Sequence, residues 1–255
     1  MRIRFLGTGG AEGIPAMGCE CDHCARAQRE GGRLIRQRTA VLFSLPGYEL
    51  LMDTPPDIRR LLEINGIRKI HGIFLTHEHS DHADGLEEFL YWRDGLDLFA
   101  EPRVYRRLVR NGWGERLPEI AFHLDVRPGT AVRFNDFFFI PFEVRHTVPC
   151  FGLALYVGGC RVVHLADSSS RLSNYARCLI DGADALIVNT PFFGPLKAEA
   201  HLSVEEAIAL KNEMGVKRLV LTHINHHNKP YDELEAYVAE FEGVTVAYDG
   251  MAIEV

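Results

Sequence analysis

Thr76-His77-Glu78-His79-Ser80-Asp81-His82 sets four potential metal ligands within six residues, in the order His-x-His-x-Asp-His. Imidazole and carboxylate side chains suit Zn, Mn or Fe, and this spacing lets neighbouring side chains reach two ions instead of one. The apolar run Ile73-Phe74-Leu75 ahead of the motif reads as a buried strand. Leu86, Phe89 and Leu90 behind it fall at helical spacing. The ligands therefore sit on a turn between a strand end and a helix start.

A second cluster lies near the start of the chain. Cys19, Cys21 and Cys24 follow a C-x-C-x2-C pattern that runs into a helix at Ala25. Three thiols so spaced can converge on one structural zinc that still needs a fourth ligand. A distant His is better placed for this than His23; a reducing compartment and an odd number of thiols disfavour disulfides, so loose thiols are the competing reading. Cys150, Cys160 and Cys178 sit in apolar sequence and read as inert core thiols.

The elements that position these groups alternate along the chain. Arg2–Leu6 is an alternating strand ending in Gly7-Thr8-Gly9-Gly10, read as a tight turn beside a crowded site since no Gly-Lys-Ser/Thr follows. A hairpin over 40–52 ends on Asp53, suited to orient a ligating His. Asp57 reads as the cap of the helix through Ile58, Leu61 and Leu62. Tyr91 to Gly114 reads as a helix, a short strand at Leu96–Phe99 and a helix from Arg103. The strand Phe137–Ile140 leads to an isolated His146. A Gly158-Gly159 hairpin contains His164, read as structural, and ends at Asp167. Ser203 with Glu206 caps a later helix. Val220-Leu221-Thr222-His223 then rhymes with Phe74-Leu75-Thr76-His77, as expected of two α/β halves stacked sheet on sheet. The final strands, over 244–247 and 251–255, are expected to pair around Asp249-Gly250.

Composition bounds what such a site can serve. The chain has 255 residues, 47% hydrophobic and 25% charged, enough for one domain with a large core. Its formal charge of -7 argues against gripping long nucleic acid by bulk electrostatics. A small anionic substrate is compatible if bound metals supply local positive charge. No signal-like or membrane-length apolar run is present, so a cytoplasmic metalloprotein is expected.

His77-x-His79-x-Asp81-His82, then His146, Asp167 and His223, in that order at strand ends, resembles the metallo-β-lactamase superfamily. The resemblance implies one four-layered αββα sandwich over 1–255, with the cysteine loop at about 17–30. Gly7-Thr8-Gly9-Gly10, the cysteine loop and the Thr-His-Ile-Asn-His ending are similar to PhnP-type phosphodiesterases of the carbon–phosphorus lyase pathway. That group implies a structural zinc on Cys19, Cys21, Cys24 and His226, with His227 the second choice. It departs at Pro55, where relatives usually carry Gly. The same resemblance implies two divalent ions, Mn or Zn: His77, His79 and His146 on one, Asp81, His82 and His223 on the other, and Asp167 bridging.

Such a pair lowers the pKa of a shared water and clamps a phosphoryl group. His201 matches a His proposed in the group to protonate the leaving oxygen, alongside catalytic roles for Asp81 and Asp167. The expectation is a phosphodiesterase for small cyclic diesters such as 5-phosphoribosyl 1,2-cyclic phosphate or 2′,3′-cyclic nucleotides. Its partners would be a small phosphate ester, no long nucleic acid and no membrane, with room for a homodimer. Competing readings are a tRNA 3′-processing nuclease, which should carry a basic extension, and a thioester or lactam hydrolase. A non-catalytic PqqB-like cofactor-biosynthesis protein is the third, although that type typically lacks a complete ligand set.

Overall fold

The computed structural model describes residues 1–92, 94–194 and 200–255. In chain order the first half comprises β1 (Arg2–Gly7), α1 (Asp22–Glu30), β2 (Ala40–Leu45), β3 (Tyr48–Met52), α2 (Ile58–Ile64), β4 (Gly72–Phe74) and α3 (Ser80–Ala83). It continues with β5 (Asp97–Ala100), α4 (Pro102–Leu108), α5 (Leu117–Ile120) and β6 (Phe122–Asp125). The second half holds β7 (Val132–Arg133), β8 (Phe137–Val144), β9 (Cys150–Val157), β10 (Cys160–His164), α6 (Asn174–Ile180) and β11 (Ala185–Asn189). It ends with α7 (Val204–Glu213), β12 (Arg218–Thr222), α8 (Tyr231–Val238), β13 (Val244–Val246) and β14 (Ala252–Glu254).

Two seven-stranded sheets form among the described residues, in the orders β14-β1-β2-β3-β4-β5-β6 and β13-β12-β11-β10-β9-β8-β7. Each is antiparallel through one half and parallel through the other, the change falling at β3 in the first and β10 in the second. Side chains alternate across a strand, so neighbours in β9 and β11 enter different cores. Phe151, Leu153, Leu155 and Ile187 pack between the sheets, against Phe74 and Phe99. Ala154, Leu186 and Val188 face outward against Ala176, Ile208 and Leu234 of α6, α7 and α8. Ile58, Leu61 and Val104 of α2 and α4 cover the outer side of the first sheet. The result is the expected αββα sandwich.

Four local expectations need correction. The final strands do not pair with each other: β13 joins β12 in parallel, while β14 joins β1 antiparallel. The chain changes sheets at Asp249, whose buried carboxylate accepts hydrogen bonds from Gln37 N (2.6 Å) and Thr8 Oγ1 (2.7 Å). Asp57 makes no cap hydrogen bond; its carboxylate instead takes Arg38 N at 3.0 Å and Arg38 Nη1 at 2.9 Å. Beyond the metal motif the chain makes a single α turn and then a 3-10 stretch, Asp84–Tyr91, because Gly85 packs flat against Pro55. The helix expected to continue past Tyr91 runs into Arg93, outside the described residues. Of the three supposed core thiols only Cys150 is buried; Cys160 is half-buried and Cys178 exposed.

Candidate metal centre

The C-terminal ends of β3, β4, β8, β10 and β12 meet along one edge of the sandwich and carry Asp53, His77, His146, Asp167 and His223. Three non-glycine residues there have positive φ: Asp53 (61°), Ala166 (55°) and His223 (58°). Left-handed backbone costs of the order of 1 kcal/mol or more for residues with a Cβ. The surroundings hold it in place. Asp53 N donates to Phe74 O (3.0 Å), Gly10 N to Ile224 O (2.9 Å), and Phe151 N to Thr76 O (3.0 Å). The last of these ties the second sheet directly to the metal motif. Gly10 lies against His223, close enough that a Cβ there would meet its ring at an ordinary contact distance of 3.7 Å. Pro55 is outside the left-handed region, so its backbone does not demand the glycine of the resembled family.

Hydrogen bonds at the rear of the rings decide which nitrogen faces the centre. Thr76 Oγ1 donates to Asp53 Oδ2 at 2.9 Å, so it accepts from His77 Nδ1 at 2.8 Å. His82 Nδ1 donates to Asp53 Oδ2 at 2.7 Å, and His146 Nδ1 to Ala200 O at 3.0 Å. In the neutral imidazoles that a metal requires, all three Nε2 lone pairs would then point inward. His77 Nε2 and His146 Nε2 lie 3.0 and 3.2 Å from His79 Nδ1. One nitrogen can offer at most one proton to two acceptors, so the protein alone leaves lone pairs opposed. On the other side Asp81 Oδ2 lies 3.3 Å from His82 Nε2 and 3.4 Å from His223 Nε2. His82 Nε2 and His223 Nδ1 are buried without a hydrogen-bond partner among the described residues.

Asp167 sits between the two groups. Its carboxylate oxygens lie 3.8 Å from His77, 3.5 Å from His82, 3.8 Å from His146 and 3.8 Å from His223. Burial alone would raise its pKa, yet His223 and His82 hold it well below the usual carboxylate range. Burial likewise pushes His82 down and is outweighed by Asp81, Asp53 and Asp167, which raise it. His77, buried and repelled by His82, stays neutral, as a ligand must. Three overlapping donor groups result: His77, His79 and His146; His77, His82 and Asp167; Asp81, His82 and His223, each with ligand atoms within 4.8 Å of one another. Opposed lone pairs, an orphaned buried nitrogen and an all N/O donor set fit divalent cations.

The second cluster forms where α1 begins. Cys19 Sγ and Cys21 Sγ each lie 3.5 Å from His226 Nδ1, and Cys24 completes a group within 4.8 Å. Cys21 caps α1 by accepting from Cys24 N, the largest reason its thiol is held down to about 6. Burial pushes Cys24 up to about 12, so its thiolate needs a cation beside it. His23 is occupied elsewhere, its Nδ1 donating to His226 O (3.1 Å) and Asn228 O (3.2 Å). Three sulfurs and one imidazole nitrogen suit tetrahedral zinc.

Residues 48–224, well over half of the chain, match the Beta-lactamase superfamily domain. The chain belongs to the β-lactamase superfamily. Among curated superfamily relatives it is 25% identical to ribonuclease Z of Archaeoglobus fulgidus, over 100% of this chain and 97% of that one. It is 26% identical to an octanoyltransferase of Porphyromonas gingivalis over 94% of its own length, and spans about half (52%) of that longer relative. Among solved structures its fold matches a diphosphatase of the PhnP family with TM-score 0.85 at 24% identity, covering 100% of this chain and 97% of that one. It also matches Zn-bound PqqB of Methylobacterium extorquens with TM-score 0.87 at 22% identity, covering 100% of both chains.

The structure brings together all seven residues named from the superfamily pattern, with Asp53 behind them and the four residues of the cysteine cluster. His201 stands at the rim, its Nδ1 3.9 Å from Asp167 Oδ2 and its ring 5.0 Å from that of His146. Burial pushes it down to about 4, with Asp167 the main opposing influence. It also forms a donor group with His146 and Asp167, a ligand arrangement the sequence did not suggest. His227 packs beside His226, ring centroids 4.1 Å apart and planes tilted by 36°, outside the donor group. His164 is structural, its Nδ1 accepting from Ala166 N at 3.2 Å. Three partners went unnoticed in the sequence. Asn189, at the end of β11, donates to Asp167 Oδ1 at 2.6 Å. Cys150 Sγ lies 3.6 Å from His77 Nδ1 beneath the centre, and Thr76 links Asp53 to His77. Thr76 was discoverable, because it flanks the motif and recurs as Thr222.

Proposed function

We propose that the protein is a metal-dependent phosphodiesterase acting on small, including cyclic, phosphate diesters. Candidates are 5-phosphoribosyl 1,2-cyclic phosphate and 2′,3′-cyclic nucleotides. The observation that carries this reading is Asp167, a single carboxylate within 4 Å of His77, His82, His146 and His223, with a donor group on either side. Two divalent ions in such a pair of N/O sites, Mn or Zn, supply an activated water and Lewis acidity toward phosphoryl oxygens.

The residues of the chain do the rest. Asp81 and Asp167 hold negative charge against the imidazoles and keep the donor atoms convergent. Asp53, Ala200 O and Asn189 lock the orientations of His82, His146 and Asp167. His201 faces the same space from the rim and is placed to give a proton to the departing oxygen. In the free protein burial keeps it neutral at pH 7, so an anionic phosphoryl group beside it is what raises its pKa into the working range. Seven complete donors speak for catalysis over a carrier role.

The test is hydrolysis of bis(p-nitrophenyl) phosphate and a panel of cyclic phosphates by protein loaded with Mn or Zn. Wild type should cleave at least one, and Asp167→Ala should lose bound metal and all hydrolysis together. A fully metallated wild type that cleaves none would overturn the reading and favour a PqqB-like binding role.

A further inference from the structure

Beside the metal centre lies a surface the proposed chemistry does not use. A cleft of about 590 Å³ begins at His146 and Thr147 and is walled by Pro128, Pro149 and Tyr175. Pro149 also walls a cleft of about 260 Å³ lined by Arg103, Arg106, Arg107 and Arg110 of α4 and the turn after it. Pro128 walls a third, of about 380 Å³, which Arg106 shares with Arg127. Through these shared residues the three clefts adjoin one another, in a stepped trough beside His146.

Positions 103, 106 and 107 fall on one face of α4, one turn or about 5.4 Å apart, and Arg110 follows in the wider turn after it. Arg103 is paired with Glu101 (3.1 Å) and Glu143 (2.9 Å), and Arg107 with Glu78 (2.6 Å), which lies inside the metal motif. The exposed side chains of Arg106, Arg110 and Arg127 have no such partner among the described residues. Seven arginines, Arg145 and Arg171 included, thus line these clefts against three glutamates on a chain whose overall charge is -7. Tyr175, 46% exposed, offers an apolar ring in the same trough.

We propose that this trough binds a short single-stranded oligonucleotide, its phosphates on Arg106, Arg110 and Arg127 and one base on Tyr175. A positive groove punctuated by an aromatic ring is how single strands are held without sequence readout. Arg106, Arg110 and Arg127, divided between two clefts, offer more guanidinium groups than one phosphate engages, and an acidic peptide would leave the exposed ring of Tyr175 without the stacking partner that a base supplies. The negative balance of the rest of the chain limits the footprint to a few nucleotides. This inference rests on the phosphodiesterase reading only for which linkage enters the metals; binding tests the trough by itself.

The experiment is fluorescence anisotropy of a fluorescein-labelled six-nucleotide thymidylate with metal-loaded protein, titrated with salt. Three phosphate contacts predict a log–log salt slope of about -2. Arg106→Ala/Arg110→Ala should weaken binding at least ~10-fold and flatten the slope to about -0.7. Tyr175→Ala should weaken it ~5- to 100-fold with the slope unchanged. Melting temperatures check folding, and Arg68→Ala/Arg177→Ala, outside the trough, should leave binding unaltered. The proposal is overturned if the arginine pair binds as wild type does, if the control pair loses as much, or if thymidine 3′,5′-bisphosphate competes as well as the hexamer. A protein that binds along the trough yet cleaves no diester would sink the enzymatic reading and leave this one standing.

Discussion

Asp53→Asn is the sharpest probe of how the metal centre is preorganised. The side chain is 2% exposed and accepts three hydrogen bonds: Thr76 N at 2.8 Å on Oδ1, Thr76 Oγ1 at 2.9 Å and His82 Nδ1 at 2.7 Å on Oδ2. Asn keeps the size, and it tolerates the φ of 61° about as well as Asp. Its Oδ1 can keep Thr76 N, which leaves NH2 facing His82 Nδ1. The imidazole then accepts at Nδ1 and carries its proton on Nε2, the atom that faces Asp81 and Asp167. A ligand nitrogen is replaced by a donor. Loss of such an orienting carboxylate typically lowers metal affinity 10–100-fold, or about 1.4–2.7 kcal/mol. We expect the upper end here, because tautomer and charge fail together. Chelator competition monitored by metal release reads the affinity, and thermal denaturation of the stripped protein checks that the metal-free fold loses no more than about 1–3 kcal/mol. Wild-type affinity in Asp53→Asn would refute the argument that the His82–Asp53 hydrogen bond sets the inward lone pair.

Three further outcomes follow from the same geometry. His201→Ala should lose ~100- to 10,000-fold on a ribose cyclic phosphate but far less on p-nitrophenyl esters, whose phenolate departs unaided. Equal losses on both would remove the acid role, and loss of an equivalent of metal would make His201 a ligand. Cys21→Ser should lower bound zinc and the melting temperature together, and unchanged values of both would refute the structural site. Gly85→Ala would drive a Cβ to 2.1 Å from Pro55 O and 2.7 Å from Ile58 Cγ2. At about 1–3 kcal/mol for overpacking, Tm should fall by several degrees and metal affinity with it, since Thr54 N donates to His82 O nearby; a melting curve like wild type's would show that this packing is looser than it looks.

What the sequence disclosed was whatever depends on residue type and short spacing. The His-x-His-x-Asp-His turn, the Ser203–Glu206 capping box and the Thr-His echo at 76–77 and 222–223 are local patterns; the turn, the cap and both strand ends formed where expected, and only the helix behind the turn was cut short. Relations across sheets stayed hidden. Val244–Val246 and Ala252–Glu254 look like hairpin partners because they are close in sequence, yet each completes a different sheet. Asp57 carries the right residue type for a cap, but Arg38 competes for its carboxylate. Asn189 meets Asp167 only through the β10–β11 pairing, and three left-handed residues that no glycine marks were invisible. A summed charge conceals clustering, so the arginines of α4 vanished in a total of -7.

The hydrogen bond from Phe151 N to Thr76 O has a thermodynamic corollary. His77, His79, Asp81 and His82 belong to one sheet's edge, and His146, Asp167 and His223 to the other's. An ion held by both would act as a rivet across the interface, adding its binding free energy to that of sheet docking. At a thousandfold excess of free metal over Kd, each linked site adds about 4 kcal/mol to the docked state. The reverse also holds: a change buried between the sheets and remote from every ligand, such as Phe139→Ala, should surface as weakened metal binding. Metal affinity is thus a gauge of how well the two halves of the sandwich are closed.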